Sequence, residues 1–176
     1  CVQRLKLLYK VANAMIAQPL CIAQLTPPQL RFIDQKQAEL QLQVIALKRF
    51  RTEGFVAYNT RRYRNLRRLT TQHRLRAWSD DVLKFQHKRA YKLVNSAPHT
   101  LVGRLMRYRD MFTKHVHQIF RRNQGHRFRG KIRAWEKNLY DVHGPDWILQ
   151  AQDAQWNHMH EDQYVGRLAT SRYRPL

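Results

Sequence analysis

The chain has 176 residues, enough to bury one ordinary core or two small ones. It carries 33 Lys and Arg against 12 Asp and Glu, a formal net charge of +21 that exceeds what solubility needs and points to a polyanionic partner. A hydrophobic content of 43% argues against wholesale disorder, 6 Gly and 6 Pro favour long helices over a turn-rich sheet, and two cysteines are too few for a disulfide scaffold.

The charge is unevenly placed. Residues 1–47 hold five basic and two acidic groups, 48–92 fourteen and three, 93–137 eleven and two, and 138–176 three and five. We therefore divide the chain into an N-terminal helix and linker (1–25), a long packing helix (26–54), a basic helical region (55–137) and an acidic-leaning docking segment (138–176). No apolar run reaches the roughly 20 residues of a membrane span. The first residue is Cys rather than Met, which is consistent with a removed organelle leader or an incomplete N-terminus.

Taken in order, residues 4–17 place Leu5, Leu8, Ala12 and Met15 on a helical spacing that Pro19 ends. Thr26 before Pro27 and Pro28 is a helix start, because threonine can cap free backbone donors and proline loses no bond at the first position. Leu30, Ile33, Gln37, Leu40, Val44 and Leu47 then step by three and four toward Gly54, read as the C-terminal stop and as a hinge. The spacing predicts one helix of about 40 Å. FVAYNT reads as a turn, followed by an arginine-covered helix from about Thr60 to Trp78. Ser79, Asp80 and Asp81 open a further helix to Asn95, and Thr100 opens another that stops near Gly125. A short helix runs through Ile132, Trp135 and Leu139, Asp146 caps a helix over 146–168, and the tail TSRYRPL reads as extended. The fold expected is all-α, an extended multi-helix protein of about five to six helices with little independent core, joined by short basic loops.

Two clusters carry the basic charge. The first holds Lys48, Arg49, Arg51, Arg61, Arg62, Arg64, Arg67, Arg68, Arg74 and Arg76, with Tyr63 among them as a candidate base-stacking ring. A helix charged nearly all round is either free in solvent or enclosed by opposite charge. Arginine suits the second case, since its guanidinium forks onto phosphates and stacks on bases. The second cluster holds Arg121, Arg122, Arg127, Arg129, Lys131 and Arg133, with Phe128 and two glycines that let backbone approach a phosphate. A solvated face is the plain alternative for both.

Catalysis finds no support. The pairs His115 with His117 and His158 with His160 are two apart, which on a helix turns them to different faces, and no cysteine lies near them. His158, His160, Glu161 and Asp162 read as a polar helix face rather than an acid/base group. Cys21 lacks a nearby basic residue and reads as a small buried hydrophobe. There is no phosphate-binding glycine loop. No catalytic residue, metal ligand, cofactor or small-molecule substrate is assigned.

Ala46-Leu47-Lys48-Arg49-Phe50-Arg51, then Gly54-Phe55-Val56-Ala57 and Arg61-Arg62-Tyr63, resembles the small-subunit ribosomal protein S-twenty-one family of bacteria and mitochondria over residues 44–78. The resemblance implies a helical protein lying on ribosomal RNA, with Arg49, Arg51, Arg61 and Arg62 at the matched phosphate-contacting positions. The sequence-level expectation is thus a structural, non-enzymatic constituent of a mitochondrial ribosome. It would clamp ribosomal RNA, dock neighbouring ribosomal proteins, and reside in the matrix without a transmembrane segment. The alternative is an accessory helical subunit of a mitochondrial respiratory membrane complex, using its basic faces for anionic lipid.

Overall fold

In the computed structural model the described residues are 2–21, 23, 25–108 and 136–172, and every regular element among them is helical. They are α1 (Val2–Leu20), α2 (Pro27–Ile45), α3 (Phe55–Gln72), α4 (Trp78–Val94), α5 (101–108), α6 (Lys137–His143), α7 (Trp147–Gln150) and α8 (Trp156–Arg172). The all-α expectation holds, but eight helical segments replace the five to six expected.

The extra segments arise where backbone geometry interrupts a continuous spacing. α2 starts at Pro27, with the Thr26 N–H donating to Gln29 Oε1 at 2.8 Å. It stops at Ile45 because Ala46 turns left-handed, φ 48°, and donates its N–H to the Leu42 carbonyl. The long helix to Gly54 is therefore shorter by two turns. FVAYNT is not a turn but the first part of α3, and Gly54 is its N-cap at φ −65°, a conformation any residue adopts. Arg74, at φ 49°, lies just beyond the end of α3, so Trp78 opens α4 instead of closing α3. The helix predicted over 146–168 divides into α7 and α8 at residues 151–155, where Asp153 Oδ1 accepts the Gln155 N–H at 2.8 Å. The tail expected to be extended is helical through Arg172.

The residues fall into two compact units, Cys1–Leu20 with Leu25–Val82, and Cys21–Gln24 with Leu83–Leu176. Each has its own buried core, contrary to the expectation of little core. In the first, α2 packs on α1 and α3, and Leu5, Ala17, Leu30, Leu42, Leu66, Trp78 and Val82 are buried. Met15, expected on the inner face of α1, is 72% exposed. Gln37 is accommodated in this core because both ends of its amide are engaged: Oε1 accepts the Trp78 N–H at 2.8 Å and Nε2 donates to the Arg76 carbonyl at 2.9 Å. Asp34 accepts both the Ser79 N–H, at 3.1 Å, and its hydroxyl, at 2.7 Å. The free donors at the start of α4 are thus capped in trans by α2, where Ser79 had been expected to cap them itself. Asp81 accepts hydrogen bonds from Tyr9 and Asn13 of α1.

In the second unit α6 packs on α7 and α8, and Leu83, Ala90, Leu139, Trp147, Ile148, Ala151, Trp156 and Tyr164 are buried. Cys21 is also buried there, with Arg89 donating to its sulfur. Thr100 caps α5, its hydroxyl accepting the Gly103 N–H at 3.1 Å. None of the helices among the described residues is long and apolar enough to cross a membrane.

Candidate nucleic-acid interface

The first basic cluster resolves into two kinds of arginine. Helix α3 turns Tyr58, Arg62, Leu66 and Leu69 toward its own unit, with Leu66 fully buried. Arg61 lies beside that face and is held by the loop before it. Its Nε donates to Glu53 Oε1 at 2.8 Å, and its Nη2 donates to Glu53 Oε2 at 2.7 Å and to the Lys48 carbonyl at 2.9 Å. Its guanidinium carbon stands 4.2 Å from the centre of the Phe50 ring and 5.7 Å from that of Tyr58. The Arg61 hydrogen bonds hold the Glu53 carboxylate below the usual range. The loop is closed further by Phe50 N–H to Glu53 Oε2 at 3.2 Å, Arg49 Nε to the Glu53 carbonyl at 2.7 Å and Tyr58 hydroxyl to the Leu47 carbonyl at 2.7 Å. Arg62 is half-buried, its Nε enclosed and its guanidinium over the Tyr58 ring at 5.2 Å. Arg61, matched to a phosphate contact by the resemblance, thus serves first to fasten residues 47–54 onto α3, whereas Arg62 lies over Tyr58 of the same helix.

The opposite face of α3 is different. Arg64, Arg67 and Arg68 are exposed, and none of them has an ion-pair partner among the described residues. Together with Thr71 and Gln72 they line an open groove along the last turns of the helix. The spacing 64, 67, 68, 71 places them on one side, so their charges add in one direction. Arg68 Nη2 donates to Asn65 Oδ1 at 3.1 Å. Lys48, Arg49, Arg51, Arg74 and Arg76 are exposed in the segments that flank α3. Tyr63 is exposed too, as are Phe55 and Val56, which become part of the same surface because FVAYNT is helical. Arg121, Arg122, Arg127, Phe128, Arg129, Lys131 and Arg133 lie outside the described residues.

A second cluster of polar groups also escaped the sequence, since its members are far apart in the chain. His87, His143 and His160 meet around Trp156 and Tyr164. The His87 ring stacks on Trp156 at 4.2 Å and lies 5.2 Å from His143, which stacks on Tyr164 at 5.7 Å. Burial, helped by the neighbouring histidines, lowers His87 and His143 to about 4, so both are neutral near pH 7. Burial also pushes the Tyr164 hydroxyl well above its ordinary value, and it donates to Gln86 Oε1 at 2.7 Å. Among the described residues no group of three or more His, Cys, Asp or Glu is arranged to hold a metal ion. The cluster packs the second unit. His158 is exposed on α8, while Glu161 and Asp162 pair with Lys84 at 2.9 and 3.0 Å.

No family model, characterised protein or solved structure matches the chain.

Proposed function

We propose that this chain is a structural RNA-binding subunit of a ribosome, of the mitochondrial type, that fixes ribosomal RNA against the exposed face of α3 and docks neighbouring ribosomal proteins with its other helices. The observation that carries this reading is the unpaired Arg64, Arg67 and Arg68 face, set beside an Arg61 that the protein has already neutralised with Glu53. Among the described residues Arg61 has an acidic partner and the next turns of α3 have none, which suits those turns to an external anion. Regularly placed guanidiniums suit phosphates, and such contacts position a protein on RNA while shape carries most of the selectivity. The resemblance of residues 44–78 to the S-twenty-one family supports the same reading.

The binding is electrostatic and therefore salt-dependent. Changing Arg64, Arg67 and Arg68 together to Gln reduces the log-log salt slope on single-stranded RNA by about 2, at roughly 0.7 per phosphate contact. An unchanged slope removes α3 as the RNA face. The second reading, a lipid-facing accessory subunit of a respiratory complex, draws on α1, where Leu7, Val11 and Met15 are exposed beside Lys10. Sedimentation of the tagged protein separates the two. Co-migration with ribosomal RNA, lost on ribonuclease treatment, supports the first; co-migration with a detergent-solubilised membrane complex supports the second.

A further inference from the structure

Beside the arginine face, α3 carries an apolar edge that its own unit does not cover. Phe55 is 66% exposed, Val56 77% and Tyr63 54%, while Phe50, in the loop just before the helix, is 62% exposed. Single exposed apolar residues are ordinary on any surface. Here, however, Phe55, Asn59 and Tyr63 follow one another at four-residue steps, so the two rings share one side of the helix about 12 Å apart along its axis. That side is continuous with Arg67 and then Arg64 around the helix. Phe50 is also preset: Arg61 lies against its ring at 4.2 Å, and Glu53 and the Lys48 carbonyl hold Arg61 in place. A ring steadied in this way and still mostly exposed is a platform.

We propose that this edge stacks unpaired bases, so that the RNA taken by α3 is single-stranded or locally unpaired. The inference rests on the RNA reading above and narrows it. In an A-form duplex the base faces are consumed by stacking on one another, and the accessible groove shows only base edges and 2′-hydroxyls. Exposed Phe55 and Tyr63 rings would then lie against sugar and phosphate with their apolar area uncompensated. An unpaired strand gives each ring a π-face, while its backbone follows the arginines alongside. Arg61 is a positioning residue in this scheme, because it acts on the bases through the Phe50 ring.

The test is fluorescence anisotropy of the full chain with labelled oligouridine and with an RNA duplex of the same length, each over a salt series. The wild-type chain binds oligouridine more tightly than duplex. Phe55→Leu with Tyr63→Leu, which keeps apolar bulk and removes the rings, weakens oligouridine binding about tenfold, leaves its salt slope unchanged and leaves duplex binding unchanged. Both positions are exposed, and circular dichroism of the double variant verifies that the helices are retained. Equal binding of the two RNAs, or indifference to the ring substitutions while Arg64→Gln, Arg67→Gln and Arg68→Gln still weaken binding, overturns the base-stacking proposal and leaves the RNA reading standing. Failure to bind either RNA overturns both.

Discussion

Two histidine rings of the second unit give the clearest consequence at the scale of single residues. His87 and His143 titrate near 4 in the folded protein because burial disfavours their charged forms, against about 6.5 when exposed. Between those values the unfolded chain binds protons that the folded chain refuses, so stability falls as pH falls from 6.5 toward 4 and is level above 6.5. For the fully buried His87 alone the loss reaches about 3 kcal/mol at pH 4. Groups facing the pair are His160, Tyr164, Asn157 and Arg167, and the His160 and Arg167 charges add to the penalty. Glu53 behaves oppositely: its lowered value keeps its bond to Arg61 through this range, to be lost only as pH falls below the ordinary carboxylate region. Urea unfolding followed by tryptophan fluorescence should therefore show lower stability below pH 6.5, and His87→Gln should flatten that dependence. A pH-independent midpoint from 7 to 4.5 would rule out buried neutral histidines.

At the scale of elements, two backbone positions carry opposite expectations to those a helix-propensity scale gives. Ala46 ends α2 in a left-handed conformation at φ 48°, which costs an L side chain roughly 1 kcal/mol and costs glycine little. Ala46→Gly should raise the unfolding midpoint by an amount worth about 1 kcal/mol. Gly103, inside α5, should instead resist alanine. A Cβ there would sit 2.2 Å from the Ala97 carbonyl oxygen and 2.8 Å from that of Ser96. Alanine ordinarily gains about 1 kcal/mol over glycine in a helix, but forcing the 95–100 connection away costs about 1–3 kcal/mol. Gly103→Ala should thus be neutral or destabilising by denaturant unfolding, and a clear gain would contradict the close approach.

These positions also explain how far the sequence could be read. Helix content was legible, because Thr26-Pro27, the arginine run and the three-and-four spacings are local signals. The ends were not, because alanine is the last residue one expects in a left-handed turn, while Gly54 offers a conventional stop that the backbone does not use. Gln37 was visible as a polar residue on an apolar seam; its partners, the Trp78 N–H and the Arg76 carbonyl, were not, since they lie about forty positions away. The arginines of α3 look alike in sequence, and only tertiary placement of Glu53 and Phe50 separates Arg61 from Arg64, Arg67 and Arg68. The histidine cluster draws on α4, α6 and α8, and no local pattern joins them.

At the scale of the whole molecule, a net charge of +21 means that every exposed cation without a partner is repelled by the rest of the chain. Arg64, Arg67 and Arg68 add like-charge pairs at three- and four-residue spacing, each costing roughly 0.2–0.5 kcal/mol on an exposed helix. Gln has nearly the helix propensity of Arg, so replacing all three removes charge with little change in local preference. In the free protein at low salt the triple variant should be more stable than the wild type by about 1 kcal/mol. At 1 M salt, where the Debye length is about 3 Å, the gain should vanish. Arg61→Gln should behave in the opposite way, lowering stability at both salt concentrations, because it breaks the bonds that fasten residues 47–54 to α3. Urea unfolding of the three proteins at low and high salt decides the matter. If the triple variant is destabilised at low salt, those arginines serve the fold and the α3 face is not reserved for a polyanion. If it is stabilised while its RNA affinity falls, the chain keeps a destabilising surface that only an external anion makes favourable, as a dedicated binding face requires.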